Sequence, residues 1–268
     1  MKHRVPLILF ASLLISGCAS YRIHPEFKER HPKILSMAVL PADFEVYRLS
    51  FKGDKDPMHD VTARANGVMA DELSREIEKK GYKLQPMDFS EQALSQRPEV
   101  RSAWHTVKEL HAKALSDFLK GRQKKFTYTL GPDVNRLADH AQCDALVLVK
   151  GEGVKKTGGE IAREVFFHIL FGTGVMPSDT TLWVSFIDGS TGDLLWLNTN
   201  VSNRIMRDTD PDDSIKIRQL IQQLIRPFPK SAPLEAEEKA RKGKKQPRQS
   251  APASTPAGPA GLPAPARP

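Results

Sequence analysis

Two cysteines and eight histidines are the side chains of this 268-residue chain best suited to nucleophilic, redox or metal chemistry, and their spacing limits each of them. His105 and His111 lie six apart in a segment of helical periodicity, on different faces, whereas metal-binding helices pair histidines at i and i+4. His59 and His140 stand alone beside expected helix ends, and His168 sits among Phe166, Phe167, Ile169 and Leu170, so all three read as satisfied structural residues. No cysteine pair exists for a structural zinc, and neither a metal nor a cofactor is expected. Cys143 precedes a strongly apolar strand and reads as a small core residue. In Gly151-Glu-Gly-Val-Lys-Lys-Thr157, Lys155 occupies the place where a phosphate loop needs glycine, which spoils a backbone nest. There is no Gly-x-Ser-x-Gly elbow, and the paired acids Glu237 and Glu238 fall where no fold would fix them. No catalytic residue is therefore assigned, and an envelope enzyme ranks third among the functional readings.

The residue with a chemical event to its name is Cys18. Lys2 and Arg4 form a basic start, and Val5 to Ile15 is an apolar run of eleven residues. A bilayer core needs about 20 helical residues, so the run is too short to span and instead suits the apolar region of a signal peptide. It ends Ile15-Ser16-Gly17-Cys18, which resembles the lipobox of bacterial lipoproteins. The resemblance implies a diacylglyceryl group on the Cys18 thiol, cleavage before it, and acylation, as with palmitate, of the new amine. A plain secretory signal followed by a chance cysteine is the competing reading. Single acyl chains bind membranes marginally, so two or three are needed for stable anchoring. Ala19 and Ser20 follow with no aspartate, which by the same resemblance favours an outer-membrane, periplasm-facing lipoprotein.

The formal charge of +8 invites a nucleic-acid reading, but its distribution argues otherwise. Lys2 and Arg4 carry +2, and residues 230–268 carry +5 from eight Lys/Arg against three Glu. What remains is nearly neutral, so basicity belongs to the tail and no nucleic-acid partner is expected.

The segments that must position any site read as α/β. Residues 1–17 are the signal peptide, 18–33 a lipid-anchored tether, 34–228 the α/β domain, and 229–268 a disordered tail with nine of the chain's twenty prolines. Strands are expected at Ile34 to Leu40, Phe44 to Leu49, Tyr82 to Gln85, Asp144 to Val149, Thr181 to Ile187 and Leu194 to Leu197. Helices are expected from the Asp56-Pro57 cap to Gly81, from Val100 to Phe118, from Pro132 to Ala141, and from the Asp210-Pro211 cap to Pro227. With one more helix at Ile161 to Phe171 the order is ββαβααβαββα, a single mixed-sheet domain with helices against it and some α+β character.

Three stretches in that order carry a second resemblance: Met37-Ala-Val-Leu-Pro41, Cys143-Asp-Ala-Leu-Val-Leu-Val149, and Phe186-Ile-Asp-Gly-Ser-Thr-Gly-Asp-Leu-Leu-Trp196. Over residues 34–205 the chain resembles a group containing the curli-secretion lipoprotein, the lipoprotein activators of peptidoglycan synthases and the TolB amino-terminal domain. The resemblance implies action by binding and assembly, and it transfers no catalytic residue.

Two segments are candidates for contact. Ile161, Phe166, Phe167, Leu170 and Phe171 belong to a run apolar almost all round, which is either a core helix or a partner or membrane contact. At 1.5 Å per residue it reaches only about 16 Å, short of a bilayer. Lys239, Arg241, Lys242, Lys244, Lys245 and Arg248 either meet an anionic surface or belong to a solvated spacer. The favoured function is an accessory or scaffold lipoprotein in a cell-envelope complex, its partners being the membrane through Cys18 and an unidentified envelope protein. The alternative is an oligomeric component of a secretion channel or transporter, which leaves a homo-oligomer open.

Overall fold

The computed structural model describes residues 21–50, 54–156, 178–201, 203 and 207–244. Cys18 and the run Ile161 to Phe171 lie outside the described residues, as do Lys245 and Arg248.

The longest strands come from the most apolar stretches and set the frame. Strand β6 (Ala145–Lys156) pairs antiparallel with β7 (Ser178–Asp188), and β7 pairs antiparallel with β8 (Leu194–Thr199). On the other side of β6 the chain runs parallel to it twice. Strand β2 (Ser36–Val39) lies along its first residues and β3 (Asp43–Leu49) along its second half. Pro41 separates them, because proline cannot donate to a ladder. β2 also pairs parallel with β5 (Lys83–Leu84), and β3 pairs antiparallel with β4 (Lys55–Pro57). β1 (Arg22–Ile23) is added antiparallel to β8, completing an eight-stranded mixed sheet of order β1-β8-β7-β6-β2-β5 with β3 and β4 off that path.

Helices cover both faces. On one lie α2 (His59–Lys79) and α6 (Ser214–Ile225), whose buried stripes meet Met37, Val147, Val184 and Trp196. On the other lie α4 (Pro98–Leu119) and α5 (Asp133–Ala141), over Ala38, Leu146, Leu148 and Ile187. The strands alternate between two apolar cores, which is why Leu146 to Val149 is an unbroken apolar run. Glu72 is buried where α2 meets α6, accepting from Gln222 Nε2 at 2.7 Å and Arg218 Nη1 at 3.3 Å. Four further elements are short or peripheral: α1 (Phe27–Arg30), a 3-10 turn at His31–Lys33, α3 (Glu91–Ser95) and α7 (Ala232–Lys244). The expected class holds: a mixed α/β domain with helices on its sheet.

Several boundaries differ from the expectations. Residues 21–33 are no tether. Tyr21 stacks on Trp196 at 6.3 Å, His24 N–H donates to the Leu195 carbonyl at 2.8 Å, and the Phe27 side chain is buried against Phe228 and His31. Mixed charge and proline hid three anchors at Tyr21, Phe27 and His31. Residues 229–244 are not disordered either. Ser231 N–H donates to the Lys80 carbonyl at 2.8 Å, Tyr82 Oη donates to the Pro229 carbonyl at 3.2 Å, and α7 follows. Gly81 permits this, since its φ is +84° and a β-carbon there would meet Leu234 Cβ at 2.8 Å. Asp56-Pro57 sits in edge strand β4, where proline is tolerated, and α2 begins two residues later. Asp213, not Asp210, caps α6, accepting from the backbone of Ile215 and Lys216 at 3.0 and 3.1 Å.

Candidate functional site

The three stretches singled out in the sequence converge on one end of the sheet, where β2 and β6 begin and β7 turns into β8. A cleft of about 540 Å³ opens there, lined among others by Arg30, Asn135, Asp139, Cys143, Asp144 and Asp188. Its polar groups are engaged with the fold itself. Asp144 accepts from the Leu35 N–H at 2.9 Å and from the Ser36 N–H and hydroxyl at 2.8 Å, which fixes the start of β2 beside β6. Partial burial works against its charge, but these bonds hold the carboxyl below its ordinary range. Asp188 accepts from the Ser190 N–H at 2.9 Å and hydroxyl at 2.6 Å, closing the β7–β8 turn. Gly189 faces Ala138, whose Cβ would lie 2.7 Å from an added β-carbon, and Gly192 holds φ +76° against the Gly131 backbone. The Thr-Gly motif is thus a packing device, as its turn chemistry predicts.

Arg30 was not singled out in the sequence. Its guanidinium donates to Thr191 Oγ1 at 2.9 Å and pairs with Asp193 at 2.6 Å, Glu26 at 2.5 Å and Asp188 at 3.5 Å. It rivets the N-terminal segment onto the turn, and the Asp193 hydrogen bond raises its pKa. Nothing in the spacing of Arg30 marks it, because all but one of these partners are more than 150 residues away. Cys143 is half-buried at the cleft wall, and burial pushes its thiol up to about 11, so it stays protonated at neutral pH.

His111 and Ser185 form a pair that resembles a base and its nucleophile, with Nε2 and Oγ 2.8 Å apart. Geometry alone would admit nucleophilic chemistry. However, His111 is 1 % and Ser185 0 % exposed, closed between α4 and β7 with no opening for a substrate. Burial, reinforced by Lys150, lowers the histidine to about 3, so the ring is neutral and serves as a hydrogen-bond partner inside the core. The neighbouring Asp43 binds Lys108 at 2.7 Å and also Lys150.

His105 is exposed on a different face of α4 from the buried His111, and no metal-holding group of His, Cys, Asp or Glu occurs among the described residues. His59 opens α2, and His140 Nε2 lies 2.7 Å from Arg97 Nη1. Of the basic cluster, Lys239 and Arg241 lie exposed on α7, with Arg241 paired to Glu237 at 2.5 Å, and Lys242 and Lys244 share its backbone. The apolar run is carried by the connection that leaves β6 at Lys156 and returns at Ser178, the end of the sheet opposite the cleft. Among the described residues no helix is long and apolar enough to cross a membrane.

No protein-family model matches the chain, and no curated protein does. Among solved structures it is similar to lipoprotein GNA1162 from Neisseria meningitidis, at 10% identity and a TM-score of 0.28, over 62% of this chain and 77% of that one. It is also similar to a dodecamer of a PelC variant from Paraburkholderia phytofirmans, at 12% identity and a TM-score of 0.28, over 74% and 89%. Neither superposition is close enough for fold or function to follow from it.

Proposed function

We propose that this chain is a lipoprotein of the bacterial cell envelope, anchored through Cys18, whose α/β domain works by contact within an envelope complex. The observation that carries the reading is the lipobox-like Ile15-Ser16-Gly17-Cys18 standing just before a folded domain that includes Tyr21. The cleft supports it as well, since Asp144, Asp188 and Arg30 are spent on binding segments of the fold together. Ala19 and Ser20 favour the outer membrane and a periplasm-facing domain. The partner is an envelope protein, met through the apolar run Ile161 to Phe171 or along the basic face of the tail.

The anchor is tested by fractionation and intact mass. The mature chain should carry diacylglyceryl and acyl groups on Cys18, and Cys18→Ser should move it to the soluble fraction. A Cys18→Ser chain that stays membrane-bound removes the basis of the reading. Crosslinking in intact cells should capture a partner, and Phe167→Ser with Leu170→Ser should lose it without unfolding; an unfolded variant would assign that run to the core. A large homo-oligomer in detergent would select the channel-component alternative.

A further inference from the structure

We infer that the β1 edge of the sheet is the face that lies against the bilayer; this rests on the lipidation of Cys18 proposed above. Tyr21 is the third residue after Cys18. An extended chain spans at most about 3.6 Å per residue, so Tyr21 cannot stand more than ~11 Å from the lipidated residue. From Tyr21 onward the chain is fixed. Tyr21 stacks on Trp196, Arg22 and Ile23 are in register with Leu197 and Trp196, and the Phe27 side chain is buried. A tether of the length expected from composition would have let the domain turn freely, but two intervening residues do not.

β1 is the last strand on its side of the sheet, so no described strand lies beyond it. Five strand spacings separate it from β5 at the opposite edge, about 24 Å at 4.8 Å each. The edge suits an interface of headgroups and upper acyl chain. Ile23 is 43 % exposed, Arg22 beside it is exposed and basic, and Tyr21 presents an amphipathic ring. β5 and the cleft, which the tether does not hold at the membrane, remain for protein partners.

The test uses the full lipidated chain in phosphatidylcholine vesicles, with Cys143→Ala removing the free thiol and a fluorophore placed through Ile23→Cys or Lys83→Cys. Quenching by a spin label carried on the lipid near the headgroup should be at least threefold stronger at position 23 than at 83. A chain with ten Gly/Ser residues inserted between Ser20 and Tyr21 should still float with the vesicles but lose that difference. Arg22→Cys replaces Ile23→Cys if the latter lowers the unfolding midpoint. Equal quenching at both edges in a chain that floats and carries its lipid overturns the proposed orientation and leaves the anchor standing. A chain without lipid by intact mass overturns both.

Discussion

Individual residues in this protein carry structural duties that resemble functional ones, and their energetics separate the two. The His111–Ser185 pair is a buried neutral contact, and its protonation should report on folding instead of turnover. Its folded pKa, about 3, lies below the ordinary 6.5, so the unfolded chain takes up the proton first. Stability is therefore complete above about pH 6.5 and falls as the pH drops toward 3, by about 1.4 kcal/mol per pH unit. Urea midpoints at pH 7.5 and 4.5 should differ in the parent chain and differ less in His111→Gln. His31, also lowered by burial, leaves part of the dependence in place. Gly192→Ala forces a β-carbon onto a φ of +76° and toward the Gly131 carbonyl oxygen. It should cost roughly 2–3 kcal/mol, read as a lower melting temperature with unchanged membrane anchoring. Gly151 and Gly153, which mimic part of a phosphate loop in sequence, lie within β6, where β-carbons would strike the Thr181 carbonyl and Pro211. That role was not legible, because it depends on β7 and on the residue leading into α6.

At the scale of elements, the helices and central strands were legible and the peripheral ones were not. α4, α5 and α6 each bury a face with helical spacing, and β6 and β7 carry dense apolar runs, so local periodicity sufficed. β1 and α1 are too short for any periodicity, and only contacts with β8, Phe228 and the β7–β8 turn order them. Phe27→Ala tests this directly. It should destabilise the domain by about 3 kcal/mol as a buried aromatic, measured by denaturant unfolding, whereas a residue in a tether would cost nothing. The start of α7 is similar. Proline and charge around it read as disorder, yet Phe228 stacks on Phe186 with centroids 3.6 Å apart and brings residues 229–234 onto Gly81.

For the molecule as a whole, the two packed faces of the sheet limit where contacts can form. The sheet is closed by helices on both sides, so its contact surfaces are edges, ends and the cleft. On the proposed lipidation of Cys18, three residues before the first described residue, Tyr21, partners would be met close to the membrane surface. In fractionated cells, Cys18→Ser should leave the pelleted envelope almost completely while keeping its melting temperature, a direct check of the proposed anchor. Sequence by itself determined the α/β class and the turn at Asp188 to Gly192, because each is written in the order of a few neighbouring residues, and it supplied the lipobox-like Ile15-Ser16-Gly17-Cys18 on which the anchor is proposed. Only the tertiary structure decided that residues 21–33 and 229–244 belong to the domain, that His111 meets Ser185, and that Arg30 holds the turn. Those pairings join residues dozens to more than a hundred positions apart, and their stability arises from burial that no single segment achieves alone.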